Sequence, residues 1–97
     1  MLIEIINFIK EVLKEFGDII ELIDITEQLG HKVDKVEIVI SSNNFMGSIS
    51  IYSNNVYDFL AVEVNNEEIM LNSNNSCEDF EDLKCKVKYE LRKFSKL

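Results

Sequence analysis

The spacing of apolar residues changes twice along the 97-residue chain, and this change restricts the possible folds more than any other feature. Between residues 2 and 16 apolar side chains recur every three or four positions, which predicts an amphipathic helix ending at Gly17. Between residues 36 and 71 they alternate with other side chains, which predicts strands with one face turned inward. From residue 80 to 94 the helical spacing returns. The order of elements is therefore helix, strands, helix.

Pairs of asparagine separate the alternating segments. Asparagine tolerates positive φ and hydrogen-bonds its own backbone, so such pairs between apolar runs predict tight turns. They stand at residues 43–44, 54–55, 65–66 and 74–75. Turns at these positions predict a β-meander, in which each strand pairs with the next one along the chain. Ser76 follows the last pair and is expected to cap the C-terminal helix.

The segment from residue 18 to 29 is compatible with two structures. Asp18, with Glu21 three residues later, forms a capping pair that could begin a second helix. The β-branched residues that follow Asp18 favour a strand over residues 19–25 instead. The number of strands is four or five, depending on this segment.

Together these patterns predict one α+β domain over residues 1–97. We expect an antiparallel β-meander of four or five strands, with the N- and C-terminal helices packed on one face. A helix with a single apolar stripe must bury it against another element, and one face of the sheet is available for this. The opposite face is then left to solvent or to a partner.

Residues able to carry catalytic or metal chemistry are sparse. His31 is the only histidine and follows Gly30 in a predicted turn, so nothing supports a nucleophile–histidine–acid triad. Cys77 and Cys85, read as lying on one helix, would be about 12 Å apart, too far for a disulfide. The sequence has neither a glycine-rich phosphate loop nor the ligand spacing of a metal site. We therefore expect no enzymatic activity, no cofactor and no bound metal.

The N-terminal segment does not have the pattern of a secretory signal, and no apolar stretch approaches the length of a membrane span. We accordingly expect a cytoplasmic protein with reduced thiols and no membrane partner.

Charge is distributed unevenly along the chain. Eighteen acidic residues stand against ten basic ones, a formal charge of −8. Residues 36–83 hold nine acidic residues and no Lys or Arg, whereas residues 84–97 hold six basic residues and one acidic residue. Nucleic acid is not an expected partner, because phosphate binding requires a basic surface. An acidic sheet is suited to attracting a basic protein.

The side chains expected on the outer sheet face combine carboxylates, aromatic rings and small hydroxyls. Leu60 and Val62 are expected to point inward, which places Tyr57 and Phe59 on the outer face. Aromatic residues are enriched in protein interfaces. An alternative is that Tyr57 and Phe59 pack beneath a loop or a helix. The residues expected to bind a partner are Glu37, Tyr52, Tyr57, Asp58, Phe59, Glu63, Glu67 and Glu68.

The stretch from Phe45 to Asn54, followed by residues 57–63, resembles the TriTu immunity proteins of bacterial contact-dependent growth inhibition and related polymorphic toxin systems. The order of helix, meander and helix agrees with that family over most of the chain. Tyr52 and Asn54 stand where the family commonly has Trp and Gly. The resemblance implies a toxin domain that cleaves transfer RNA as the partner, and elongation factor Tu as a third component.

Other classes of function remain open from the residues alone. A cytosolic secretion chaperone or protein-binding adaptor is also small, acidic and mixed α/β, but such proteins usually dimerise through a large apolar surface. A mimic of nucleic acid that blocks a DNA-binding protein and an enzyme are the remaining alternatives. We expect an immunity protein of this type to be a monomer in its free state.

Overall fold

A computed structural model describes residues 2–30 and 32–97 of the chain, so the expectation for His31 lies outside the described residues. Five strands form one antiparallel sheet in the order of the sequence, with a helix at each end of the chain. The elements are α1 (Leu2–Glu15), β1 (Glu21–Gln28), β2 (Lys35–Ser42), β3 (Phe45–Tyr52), β4 (Val56–Glu63), β5 (Ile69–Ser76) and α2 (Phe80–Ser95). The predicted α+β meander with terminal helices is confirmed.

The ambiguous segment after α1 forms a strand. Gly17 ends α1 with φ +59, and its N–H donates to the carbonyl of Lys14 at 3.2 Å. Within β1, Leu22 and Ile25 are three residues apart, yet both lie on the core side, opposite residues 40 and 38. A β-bulge between residues 22 and 24 makes this possible by adding one residue to the strand. The bulge explains why the apolar spacing of this strand looks partly helical.

The core lies between the helices and one face of the sheet, here called the inner face. The helices contribute Ile5, Ile9, Val12, Leu83, Val87, Leu91 and Phe94, and the sheet contributes Val36, Ile38, Ile40, Ile49, Ile51, Tyr57, Phe59 and Ala61. The rings of Phe59 and Phe94 meet edge to face with centroids 6.1 Å apart. Gly47 makes this contact possible, because a Cβ atom there would come within 3.2 Å of both rings.

The prediction that Tyr57 and Phe59 face outward is wrong. Both are buried on the inner face, opposite Ile51 and Ile49 of β3. The turn between β3 and β4 contains three residues, Ser53 to Asn55, and not the two asparagines alone. Asn55 adopts φ +65, and its N–H donates to the carbonyl of residue 52 at 3.1 Å. Because one extra turn residue shifts the pairing by one position, every side chain of β4 moves to the opposite face.

Two further expectations near the C-terminus are corrected. Asn74 and Asn75 lie inside β5 and do not form a turn. Asp79, not Ser76, is the N-cap of α2, and its carboxylate accepts a hydrogen bond from the backbone N–H of Asp82 at 2.8 Å. Cys77 therefore lies before α2 instead of within it, and both it and the cysteine at position 85 are free thiols.

None of the helices in the described part of the chain is long and apolar enough to cross a membrane.

Candidate functional site

The face of the sheet opposite the helices, here called the outer face, presents polar side chains in register across all five strands. One row consists of Thr26, Glu37, Ser50, Asp58 and Asn74, each residue paired with the next. The adjacent row consists of Asp24, Val39, Ser48, Leu60 and Asn72. The outer face thus has a polar row beside a mixed row, in contrast to the apolar inner face.

Asp58 is the centre of a polar network on the outer face. The phenol of Tyr52 donates to Oδ2 of Asp58 at 3.3 Å, and the side-chain amide of Asn74 donates to Oδ1. On the other side, Nζ of Lys35 lies 5.8 Å from the centroid of the Tyr52 ring and 3.8 Å from Oε2 of Glu37. We call these five residues the outer polar patch. It brings together three of the eight residues predicted to bind a partner.

The outer polar patch offers acceptors and donors in fixed positions. Each carboxylate oxygen can accept more than one hydrogen bond, so Asp58 keeps acceptor capacity beyond the two bonds from Tyr52 and Asn74. The side chain of Glu37 is 42% exposed, and its contact with Lys35 at 3.8 Å is a loose surface ion pair. Such a surface can bind the basic or amide groups of a partner protein.

Beside the patch lies a shallow concavity of about 470 Å³. Its lining includes the carboxylate of Asp58, the hydroxyls of Ser48 and Ser50, the amides of Asn72 and Asn74, and the apolar side chain of Leu60. In the described part of the chain, no group of three or more His, Cys, Asp or Glu residues is arranged to hold a metal ion. The lining of the concavity thus consists of hydrogen-bonding groups beside apolar side chains.

Tyr57 and Phe59 are not available to a partner, because they are 2% and 1% exposed. The hydroxyl of Tyr57 accepts a hydrogen bond from the amide of Asn75 at 2.9 Å. Burial, together with the negative charge of Glu90, raises the pKa of Tyr57 to about 12. The phenol is consequently neutral at physiological pH and forms part of the core.

Glu63, Glu67 and Glu68 lie at the turn between β4 and β5 and are separate from the outer polar patch. Glu63 is paired with Phe45 on the core side of the sheet, which corrects its predicted outward position. Its carboxylate accepts hydrogen bonds from the backbone N–H groups of residues 65 and 66, at 3.2 and 2.9 Å. Glu67 adopts φ +59 in the same turn. Glu63 thus holds the turn, while the other two carboxylates are exposed at its surface.

Lys35 and Asn74 are members of the patch that the sequence interpretation did not identify. Lys35 immediately precedes residues 36–83, the stretch without Lys or Arg, and its proximity to Tyr52 depends on the pairing of β2 with β3. For Asn74, the asparagine pair at residues 74–75 predicts a turn instead of a strand. Residues 72–76 are all polar, so their sequence has no alternation that could have placed Asn74 on the outer face of a strand, and its position follows from the pairing with Asp58.

No family model matches the chain, and the curated proteins and the solved structures contain no match to it either. The resemblance to the TriTu immunity proteins therefore stays a prediction from the sequence.

Proposed function

We propose that this chain is an immunity protein that binds and neutralises a toxin domain through the outer face of its sheet. The observation that carries the proposal is the outer polar patch, where Glu37, Asp58 and Tyr52 are held together on a rigid sheet and lie on the face opposite the helices. Carboxylates beside an aromatic ring form a surface suited to the Arg and Lys side chains of a basic partner.

The charge of the chain supports the same partner. Residues 36–83, which include three of the five strands and most of a fourth, contain no Lys or Arg. A toxin that cleaves RNA needs a basic surface for its substrate. An acidic inhibitor complements that surface and gains association rate from long-range attraction. The identification of the toxin as a nuclease for transfer RNA, and of elongation factor Tu as a third component, is supported by the sequence resemblance alone.

The test is protection of growing bacteria. The chain is expressed together with the C-terminal toxic domain of the secreted protein that we expect to be encoded directly upstream. The native chain should restore growth and keep transfer RNA intact. The double variant Glu37→Gln/Asp58→Asn, which removes two charges with little change in shape, should protect less well.

The matched control is Glu4→Gln/Glu11→Gln, which removes two exposed charges from α1, on the far side of the sheet. It should protect as well as the native chain. Equal loss of protection in both double variants would show that net charge matters and that the outer polar patch does not. Full protection by both would exclude the patch as the binding surface.

A protein-binding adaptor or secretion chaperone is the second candidate. It is favoured by one observation, the group of exposed apolar side chains near the β4–β5 turn. Val64 is 51% exposed, Ile69 60% and Met70 38%. A chaperone of this size would use such a surface to dimerise. Sedimentation at low protein concentration separates the candidates, because the immunity proposal expects a monomer.

A further inference from the structure

The two edges of the sheet differ in how well they are protected against pairing with another strand. The edge strand β1 carries Glu21, Asp24 and Glu27 and is interrupted by a bulge. Charges and bulges are the features by which proteins prevent addition of further strands at an edge. At the opposite edge, β5 has eight residues and contains no charged residue and no proline.

The backbone of β5 is suited to accept a strand. Its pairing with β4 is regular from Leu71 to Ser76, and the only irregularity lies before Leu71, opposite residues 61 and 62. In the described part of the chain β5 pairs with β4 alone. Alternate residues of an edge strand direct their N–H and C=O groups away from the sheet, where another chain can bind them. At about 3.3 Å per residue, the edge is roughly 26 Å long.

Both ends of this uncharged edge are acidic. Glu67 and Glu68 immediately precede β5, and Glu78 and Asp79 follow it. Pairing of β5 with a second copy of the chain would bring acidic ends together in either strand orientation, because both ends carry the same sign of charge. Like charges placed together at an interface oppose association. Pairing of β5 with a second copy of the chain is therefore disfavoured, and pairing with a segment of opposite charge is favoured.

We propose that β5 is a docking edge for an extended segment of a partner protein, uncharged at its centre and carrying Lys or Arg at both ends. The added strand would pair with the backbone of β5, while its basic ends would lie beside Glu68 and Glu78. Backbone hydrogen bonds provide the affinity in this mode of recognition, and the charged ends provide the selectivity. The proposal concerns a second surface and holds for any basic partner, so it does not depend on the assignment of the toxin.

The probes are synthetic peptides of about ten residues, the length needed to cover a strand of this size. All share an alternating Thr-Val centre. One has two lysines at each end and another has two glutamates at each end. A third has the lysine ends but carries N-methyl groups at alternate backbone nitrogens, which removes hydrogen-bond donors without changing charge. Each is titrated into the full isotope-labelled chain, and amide chemical shifts and hydrogen exchange are recorded.

The lysine-ended peptide should shift the amide signals of residues 69–76 and slow their exchange, with no such effect at residues 21–28. The glutamate-ended and N-methylated peptides should not bind. Equal binding of the N-methylated peptide would overturn the proposal, because attraction of charge alone would then explain the result. Shifts confined to the outer polar patch, or dimerisation of the chain through β5, would overturn it as well.

The double variant Glu68→Lys/Glu78→Lys should reverse the preference between the two charged peptides. The side chains of these residues form no ion pair or hydrogen bond within the described part of the chain, so the fold should be retained. Binding of the lysine-ended peptide should weaken about tenfold at low salt and less at high salt, because exposed charges are screened. The matched control is Glu21→Lys/Glu27→Lys on β1, which should leave peptide binding unchanged. A preference that stays the same in the first variant would refute the role of the acidic ends.

Discussion

Truncation of Phe59 tests the register of β4, on which the division between inner and outer face depends. The Phe59 side chain is 1% exposed and contacts the ring of Phe94 at a centroid distance of 6.1 Å. The two rings fill the space beside Gly47, where a Cβ atom would lie 3.2 Å from each of them. Phe59→Ala removes one of these rings and leaves a cavity at this position. Replacing a buried Phe with Ala costs about 3–5 kcal/mol of unfolding free energy.

The matched control is the adjacent residue, Leu60, which is 41% exposed on the outer face. Leu60→Ala should cost about 1 kcal/mol or less, because a half-exposed side chain leaves no closed cavity. For a domain of this size each kcal/mol lowers the melting temperature by about 4–8 °C. Phe59→Ala should thus melt at least about 12 °C below the native chain, a shift several times that of Leu60→Ala.

The measurement is thermal and urea unfolding followed by circular dichroism for the two variants and the native chain. The sequence-based alternative, with a two-residue turn at Asn54 and Asn55, exchanges the faces of Phe59 and Leu60 and predicts the opposite ranking. If Leu60→Ala is the more destabilised variant, or if Phe59→Ala melts within a few degrees of the native chain, the register described here is wrong.

Four other predictions follow from the structure. Burial raises the pKa of Tyr57 to about 12 from 10.0. The stability that depends on its neutral form is therefore fully present below pH 10 and is lost as the pH rises toward 12. When unfolding is measured as a function of pH, Tyr57→Phe should abolish this loss. Asp79→Ala removes the N-cap of α2 and should lower the unfolding free energy by about 1 kcal/mol, measured with urea, whereas Asp79→Asn should retain most of it. Replacing Glu67 and Glu68 with Gln should slow association with a basic toxin several-fold at low salt and have less effect at about 0.5 M salt; an association rate independent of salt would contradict electrostatic attraction. The purified chain should not cleave RNA, and cleavage that a single carboxylate substitution abolishes would refute this.

The sequence by itself was sufficient for the class of fold and the order of elements. The apolar stripe of α1 and the alternation along β2 and β3 are local patterns, and each requires burial of one face whatever its neighbours are. The turn at residues 43–44 follows from local chemistry in the same way, because Asn43 adopts positive φ there. Glu37 and Tyr52 were correctly expected on the outer face, since their strands alternate without interruption.

The tertiary structure alone decided the face of β4. Tyr57, Phe59 and Ala61 are no more apolar than the side chains that alternate with them, so the sequence pattern of this strand has no clear inner side. The choice depends on one extra residue in the turn before it, and on whether Gly47 leaves space for Phe59 against Phe94. Contacts between residues distant in the sequence therefore determine this register, and through it which residues a partner can reach.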